Sequence, residues 1–252
     1  MNEDIYKVEQ IAPDTYRIDE AEAVNCYLLI GKSKALLIDT GLGIGRLREE
    51  VEKLTTLPVE VVLTHAHCDH AGGIGWFDRY YVHRSDMAPV YHLLSSRLAA
   101  SALLPKGTKL PRQPEKPEAV PIDDSFSFEL GGRTVNVRNV PGHTRGSIVL
   151  LDQKEKLMFT GDDMNEALWM QLPGCTTLRE WLAGGRTLLS LAEEYTPWCG
   201  HGAGKQDPEQ MKLTYAMVKK LSRGKNTFYA HTRHYPDQDA KPQIVFNTRK
   251  RH

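Results

Sequence analysis

Four side chains that can bind a metal ion fall within six positions of the segment Thr64–Gly73. They are the imidazoles of His65, His67 and His70 and the carboxylate of Asp69. Alternate side chains of an extended segment point the same way, so His65 and His67 can bind one ion together. Asp69 and His70 follow where the chain turns, and they can face a second ion nearby. This mixture of nitrogen and oxygen donors suits borderline metals such as zinc.

Three more candidate ligands lie downstream, each after a predicted strand and beside glycine. His143 follows Pro141-Gly142, Asp162 follows Thr160-Gly161, and His201 stands between two glycines. The complete set of candidate ligands is His65, His67, Asp69, His70, His143, Asp162 and His201. One zinc ion takes three or four protein ligands, so seven candidates predict two metal positions. Asp162 or Asp69 could supply a carboxylate shared by both ions.

Alternating and continuous apolar patterns predict the elements that must position these ligands. Strands are predicted at 15–19, 25–30, 34–39, 59–63, 80–83, 125–130, 134–140, 148–151, 157–159, 196–199 and 243–246. Helices are predicted at 45–54, 85–104, 178–194 and 208–223, with Thr176 or Thr177 as N-cap of the third. Each half of the chain runs mostly strands first and helices after, which predicts two packed sheets with helices outside.

Composition excludes several classes of protein. The chain has 252 residues, of which 40% are hydrophobic and 25% charged, as in ordinary soluble globular proteins. Its 32 basic and 32 acidic residues balance, which argues against a nucleic-acid partner. No apolar run approaches the ~18 residues of a membrane span, and the acidic N-terminus lacks the apolar core of a signal peptide. We therefore expect a cytoplasmic protein with a small-molecule substrate and no membrane contact. The oligomeric state cannot be predicted from these features.

The motif pattern resembles the metallo-β-lactamase-fold hydrolase superfamily. HxHxDH at His65–His70, the glycine-flanked His143, Gly161-Asp162 and Gly200-His201-Gly202 follow that family's order. Leu37-Ile38-Asp39-Thr40-Gly41 matches its first motif. The resemblance implies an α/β fold, a four-layer αββα sandwich of two mixed β-sheets with helices on the outer faces. It also implies one domain over residues 1–252, with a helical and proline-rich insertion at about 84–121 and a C-terminal tail at about 227–252.

The resemblance also implies how the ligands divide between two divalent metal ions. His65, His67 and His143 would hold the first ion, and Asp69, His70 and His201 the second, with Asp162 bridging. Asp69 would also be catalytic, handling a proton. Asp39 would orient a ligand, although a carboxylate at a strand end can instead cap local N–H groups. Zinc is the expected metal, and iron or manganese suit the same donors.

The implied activity is hydrolysis of a small ester, thioester or lactone by a metal-bridging hydroxide. The alternatives are a mononuclear iron persulfide dioxygenase, a phosphodiesterase of the same fold and a non-catalytic metal-binding protein. Typical zinc β-lactamases of the family are exported and lack the bridging aspartate, so antibiotic hydrolysis is not expected. The basic residues that bind glutathione in glyoxalase II enzymes have no convincing match here.

Substrate specificity is expected to depend on the insertion, on residues 167–173 and on the tail. Trp169 and Met170 could wall a substrate pocket or pack in the core. The tail side chains that could bind an anionic substrate group, or simply be solvated, are His231, Arg233, His234 and Tyr235. Residues 105–121 are interpreted as a loop beside the site, with a domain boundary as the alternative. Cys68 is expected to be a small packing residue that points away from the metals.

Overall fold

Two β-sheets face each other in this computed structural model, and a third, smaller sheet lies beside them. The structure describes residues 5–87, 97–105, 108–114, 116–172, 174–225, 232–236 and 241–251. Residues 88–96 of the predicted helix at 85–104, Pro173 and His231 lie outside these residues. None of the helices described is long and apolar enough to cross a membrane.

Sheet A has seven strands in chain order, and its last four run parallel. They are β1 (Tyr6–Ala12), β2 (Thr15–Glu20), β3 (Val24–Ile30), β4 (Ala35–Ile38), β5 (Val59–Val62), β6 (Arg79–His83) and β7 (Glu118–Ile122). Sheet B has the order β13-β11-β10-β9-β8. Its strands are β8 (Ser127–Glu129), β9 (Thr134–Asn139), β10 (Ile148–Asp152), β11 (Leu157–Phe159) and β13 (Thr196–Trp198).

Sheet C has the order β12-β15-β14 and was not predicted as a sheet. Its strands are β12 (Ala167–Met170), β14 (Thr232–Tyr235) and β15 (Gln243–Asn247). The helices are α1 (Leu47–Leu54), α2 (Cys68–Ala71), α3 (Arg97–Leu103), α4 (Leu178–Leu191) and α5 (Pro208–Leu221). Single turns of 3-10 helix lie at Ile74–Trp76 and Arg84–Met87.

The four layers form because successive side chains of each strand face opposite sides of its sheet. In β3, Tyr27 and Leu29 face sheet B, whereas Cys26 and Leu28 face α1. On β10, the even-numbered apolar residues join the core between the sheets and the odd-numbered ones face α4 and α5. Both sheets are therefore covered on two faces, which explains their continuous apolar runs. The predicted αββα sandwich with outer helices is confirmed.

The helix ends follow local side-chain chemistry. Thr177 is the N-cap of α4 and forms a capping box with Glu180. Asp207 caps α5, where Pro208 occupies the first turn. In the insertion, the described part of the helix predicted at 85–104 comprises the 3-10 turn and α3. Residues 88–96 of that prediction lie outside the described part.

The carboxyl ends of five strands meet at one edge of the sandwich. In sheet A, β4 and β5 are parallel neighbours. In sheet B, β9 and β11 both pair antiparallel with β10, and β13 pairs parallel with β11, so all three end at the same side. The loops that follow these five strands carry every candidate ligand and Asp39.

Candidate metal centre

Two groups of candidate ligands lie at this edge among the described residues. The histidine group consists of His65, His67 and His143, and all three side chains are buried. The mixed group consists of Asp69, His70, Asp162 and His201. Within each group the potential ligand atoms lie within 4.8 Å of one another. The seven residues expected from the sequence are therefore brought together in the division that the resemblance implied.

Asp162 lies between the two groups. Its Oδ2 is 3.1 Å from His201 Nε2 in the mixed group and 3.7 Å from His143 Nε2 in the histidine group. Its Oδ1 is 3.3 Å from His70 Nε2. This carboxylate is therefore placed to be shared by both positions.

Backbone hydrogen bonds fix the orientation of two imidazoles, one in each group. The Trp169 carbonyl oxygen accepts a hydrogen bond from His143 Nδ1 at 2.6 Å. The Ala23 carbonyl oxygen accepts one from His201 Nδ1, also at 2.6 Å. Because a carbonyl oxygen can only accept, both Nδ1 atoms carry the proton and each Nε2 presents a lone pair to the centre.

Asp39 orients His70 and the strand end before His65. Its Oδ2 lies 2.8 Å from His70 Nδ1, and it also accepts the hydroxyl proton of Thr64 at 2.8 Å. Oδ1 accepts the Thr64 backbone N–H. The Thr64 hydroxyl oxygen lies 3.2 Å from His65 Nδ1. Asp39 itself has φ of 61°, a left-handed conformation that a non-glycine residue adopts at a cost of about 1–3 kcal/mol.

The donor atoms left without partners test whether a metal fits. His65 Nε2 is buried and has no hydrogen-bond partner among the described residues. His70 Nε2 and Asp162 Oδ1 lie 3.3 Å apart but make no hydrogen bond of good geometry with each other or with another described residue. His67 Nδ1 and His143 Nε2 lie 2.7 Å apart, within hydrogen-bond distance. Orphaned buried polar atoms of this kind are costly unless a ligand satisfies them. Five imidazoles and two carboxylates suit zinc, iron or manganese, so the residues present fit divalent ions.

The two groups differ electrostatically. Burial and repulsion from the neighbouring His143 lower the pKa of His67 to about 3. Burial likewise lowers the pKa of His65 and of His143. These imidazoles are therefore neutral near pH 7, which is the state that binds metal.

In the mixed group the carboxylates reverse this effect. Burial lowers the pKa of His70, but Asp162 and Asp39 overcome it and raise that pKa to about 10. Burial raises the pKa of Asp69, but His70 and His201 overcome it and lower that pKa to about 2. The mixed group thus holds opposite charges in close contact.

A glycine beside the centre is required by close packing. A Cβ on Gly200 would lie 2.6 Å from Asp162 Oδ1 and 2.7 Å from His70 Cε1. Any side chain at this position would displace two candidate ligands. The glycine that the sequence shows before His201 therefore has a direct structural reason.

Asp86 is a positioning residue that the sequence gave no reason to select. It is 2% exposed, and its Oδ2 accepts from Ala66 N and Thr144 Oγ1. Its Oδ1 accepts from Gly146 N. One carboxylate therefore joins the loop of His65 and His67 to the loop of His143. The insertion that supplies Asp86 showed no metal-ligand motif, so this role could be found only in three dimensions.

Glu20 has a comparable role on the other side of the centre. Its buried carboxylate accepts backbone N–H bonds from Leu42, Ile44 and Gly45. Those residues form the loop after Asp39, and the Gly41 carbonyl of the same loop accepts the Gly72 N–H. A buried glutamate in β2 thus fixes the loop that supports the end of α2.

The proposed pocket residues divide between two faces of β12. Trp169 is half-buried, and its ring lies 5.2 Å from the His201 ring. Met170 is 1% exposed and packs in the core with Leu168 and Phe246. The expectation that Met170 walls the pocket is therefore corrected. Neighbouring residues of a strand face opposite sides, so only one of the pair can face the site.

The remaining candidates behave as packing or sheet residues. Cys68 is buried against Leu42 and Ala100, as expected of a small packing residue. In β14, His234 Nδ1 lies 3.1 Å from Gln243 Oε1, and the Tyr235 hydroxyl bonds Lys220 Nζ at 2.8 Å. The described tail contributes β14 and β15 to sheet C, and the side chains of Arg233 and His234 on β14 are exposed, as a solvated tail would have them.

The family assignment rests on a direct match. The model of the metallo-beta-lactamase superfamily matches residues 19–163 of this chain. These residues carry Asp39 and six of the seven candidate ligands. The chain belongs to the metallo-β-lactamase superfamily.

Some of the curated relatives are named as thioesterases. The chain is 31% identical over 166 residues to the human "Acyl-coenzyme A thioesterase MBLAC2", covering 57% of this chain and 59% of that protein. It is 29% identical over 168 residues to the "Atrochrysone carboxyl ACP thioesterase nsrC" of Aspergillus novofumigatus, covering 62% and 45%. The match thus spans about three-fifths of the human relative and less than half of the fungal one.

Solved structures share the fold. A metallo-beta-lactamase family protein of Thermus thermophilus, TTHA1429, superposes with a TM-score of 0.62 at 24% identity, covering 84% of this chain and 82% of that one. A di-iron-bound form of TTHA1623 gives a TM-score of 0.57 at 28% identity, covering 74% and 90%.

Proposed function

We propose that this chain is a metal-dependent hydrolase that cleaves a small-molecule thioester with two divalent metal ions, zinc by preference. The observation that carries the proposal is the convergence of seven buried or half-buried ligands in two groups around the Asp162 carboxylate. A metal-free binding role would give no reason for so many orphaned donor atoms at one edge.

His65, His67 and His143 would hold one ion, and Asp69, His70 and His201 the other, with Asp162 shared. Bound there, the ions supply an activated water and a Lewis acid for the substrate carbonyl. The chain's own contribution is orientation. Backbone carbonyls and Asp39 hold Nδ1 of His70, His143 and His201, so the Nε2 atoms of these three imidazoles face the centre before substrate binds.

Asp69 is the ligand best placed to handle a proton. Its side chain is 18% exposed, whereas that of Asp162 is 2% exposed. Its Oδ2 lies 3.5 Å from His201 Nε2. We infer that Asp69 accepts a hydrogen bond from the attacking water and orients it.

The thioester, rather than an oxygen ester or lactone, is supported by the relatives' names. Both a human and a fungal relative are named as thioesterases, although their thiol carriers differ. The shared chemistry of those names is a carbonyl bonded to sulfur. We extend this bond type, and not either particular substrate, to the present chain.

The test combines metal analysis with a matched substrate panel. Purified protein is assayed by elemental analysis and then with a butyryl thioester, its oxygen ester, a lactone, a phosphodiester and a persulfide. We expect about two metal equivalents, release of thiol from the thioester, loss of activity on chelation and recovery when metal is returned. Little turnover is expected with the other substrates.

His67→Gln and His83→Gln form the matched pair of variants. His83 is a buried histidine outside both ligand groups, so its substitution should leave thioester hydrolysis unchanged. His67→Gln should lower it about 10²-fold or more. Full activity of His67→Gln would refute the proposal, as would bound iron with oxygen consumption on the persulfide, or bound metal without any turnover.

A further inference from the structure

A small cavity adjoins the mixed group on the side of sheet C. It has a volume of about 170 Å³ and is lined by Asn165, Glu166, Ala167, Trp169, His201 and Gly202, with Lys241. His201 is shared with the mixed group, and the Trp169 ring stands against the His201 ring. The cavity is open to solvent on one side and can admit a short planar group.

Asn165 is the unusual residue of this cavity. It is 4% exposed, yet neither Oδ1 nor Nδ2 has a hydrogen-bond partner among the described residues. A buried amide without partners costs about 1–3 kcal/mol, so a side chain kept in this state needs a reason. Asn165 follows the shared ligand Asp162 by three positions and lines the cavity, which indicates that a bound group satisfies it.

The charges at the cavity argue against an ionic ligand. Lys241 and Glu166 form an ion pair with each other, so the two charges are mutually neutralised. The remaining lining offers an aromatic face at Trp169 and the amide of Asn165. An amide side chain has both a donor and an acceptor. The ligand that satisfies both atoms is a neutral group with one acceptor and one N–H, which is a secondary amide.

We propose that Asn165 is a specificity-determining residue that binds a secondary amide in the thiol arm of the substrate, while Trp169 packs on that arm. This inference rests on the proposed thioesterase function and names the class of thiol. A thioester carbonyl has acceptors only and an acyl chain is apolar, so neither satisfies Asn165. The thiol of coenzyme A, by contrast, ends an arm that contains secondary amides.

The test compares two butyryl thioesters of equal length. One is formed with N-acetylcysteamine, which has a secondary amide two methylenes from sulfur, and the other with pentanethiol, which has none. Wild-type protein should show a kcat/KM about tenfold or more higher for the amide substrate, mainly through a lower KM, because a site built for a hydrogen bond discriminates against an analogue without one.

Asn165→Leu should remove this preference. Its kcat/KM for the pentanethiol ester should stay within about twofold of wild type, while that for the amide substrate falls about tenfold. Asn136→Leu, on β9 and outside the cavity, should keep the wild-type preference. Since Asn165 loses no internal hydrogen bond, the melting temperature of Asn165→Leu should be unchanged or higher. A lowered melting temperature with an unchanged preference would indicate a structural role and overturn the proposal.

The outcomes separate this inference from the proposed function. Equal hydrolysis of both thioesters by wild type and Asn165→Leu overturns the inference and leaves the thioesterase proposal intact. If neither thioester is hydrolysed, the thioesterase proposal fails. Binding of the S-ethyl thioether of N-acetylcysteamine, measured by saturation-transfer NMR, then decides the inference. Weaker binding to Asn165→Leu supports it, and equal or undetectable binding to both proteins overturns it. Asn165→Ala repeats each measurement should the leucine variant fold poorly.

Discussion

The histidine group and the mixed group lie side by side, but the chain builds them differently. The histidine group contains three imidazoles whose pKa values are lowered by burial, and no carboxylate of its own. The mixed group contains two carboxylates and two imidazoles and borders the cavity beside Trp169. A cation in the mixed group is therefore neutralised locally, whereas one in the histidine group depends on Asp162 for negative charge.

The difference extends to the residues behind the ligands. Asp39 supports His70 of the mixed group directly through His70 Nδ1. Asp86 supports the histidine group indirectly, because it joins the backbones of the two loops that carry it. One carboxylate orients a ring and the other fixes the distance between loops. Substitutions behind the ligands should therefore affect the two groups to different degrees. A substitution of Asp162 should affect both groups, because this carboxylate lies between them.

Asp162→Asn should have the largest effect. The substitution keeps the shape of the side chain but removes the negative charge shared by both groups. Since metal-based charge stabilisation contributes several kcal/mol and each 1.36 kcal/mol is tenfold, kcat/KM should fall about 10³-fold. Elemental analysis should show that metal is lost from both positions. Retention of both metals with full activity would show that Asp162 is not shared.

His67→Gln should separate the two groups. It removes one of three ligands from the histidine group and leaves all four ligands of the mixed group. We expect about one metal equivalent instead of two and a fall in kcat of about 10²-fold or more. Equal loss of both metals would mean that the groups bind as one cooperative unit.

Asp39→Asn should weaken the mixed group in particular. The amide cannot hold His70 Nδ1 as a carboxylate does, and loss of such a supporting partner costs about 10–100-fold in metal affinity. Competition with a chromogenic chelator should show a larger loss of affinity at the mixed group than at the histidine group, because Asp39 holds His70 directly and reaches His65 only through Thr64. Weakening of both sites to the same degree would contradict separate support.

Asp86→Asn is the matched perturbation of the histidine group. The carboxylate accepts at least three hydrogen bonds, and bonds to charged groups contribute about 1.5–3 kcal/mol each. Because the amide oxygen preserves part of this set, we expect a loss of about 2 kcal/mol in unfolding free energy and a modest fall in activity. Chemical denaturation measures the unfolding free energy. Chelator competition should show that metal affinity falls more in the histidine group than in the mixed group.

Cys68→Ala should have the smallest effect. Cys68 lies within the metal motif but packs against Leu42 and Ala100, and burial raises the pKa of its thiol to about 12. Truncation of a small packing residue should cost about 1 kcal/mol of stability and leave kcat within about twofold. Loss of turnover with the metals retained would instead show that the thiol takes part in the reaction.

Much of the scaffold could be predicted from the sequence because local patterns determine it. The strands ending before Asp39, Thr64, Val140 and Thr160 have continuous or alternating apolar residues, and each ends in a polar or glycine-rich turn. The candidate ligands follow those strands closely, so predicting the strand ends also indicated which side chains could form a metal centre. The N-cap at Thr177 was predictable for the same reason, since its partner lies three residues away.

The features that escaped prediction depend on contacts distant in the chain. Asp86 and Glu20 act through backbone groups of other loops, and nothing in their immediate neighbours signals that. Sheet C pairs β12 with β15 across more than seventy residues, so residues 167–170 were interpreted as a pocket wall and not as a strand. Without the strand, the sequence left both Trp169 and Met170 open between pocket wall and core, whereas neighbouring residues of a strand point to opposite sides.

The placement of ligands on both sheets links metal affinity to the folding of the whole chain. His65 and His67 follow a strand of sheet A, while His143 and His201 follow strands of sheet B. An unfolded chain offers a metal the local HxHxDH segment and little else. Metal at a thousandfold its Kd therefore stabilises the docked sheets by about 4 kcal/mol. By the same linkage, a substitution deep in the sandwich that loosens sheet docking will weaken metal binding without touching a ligand.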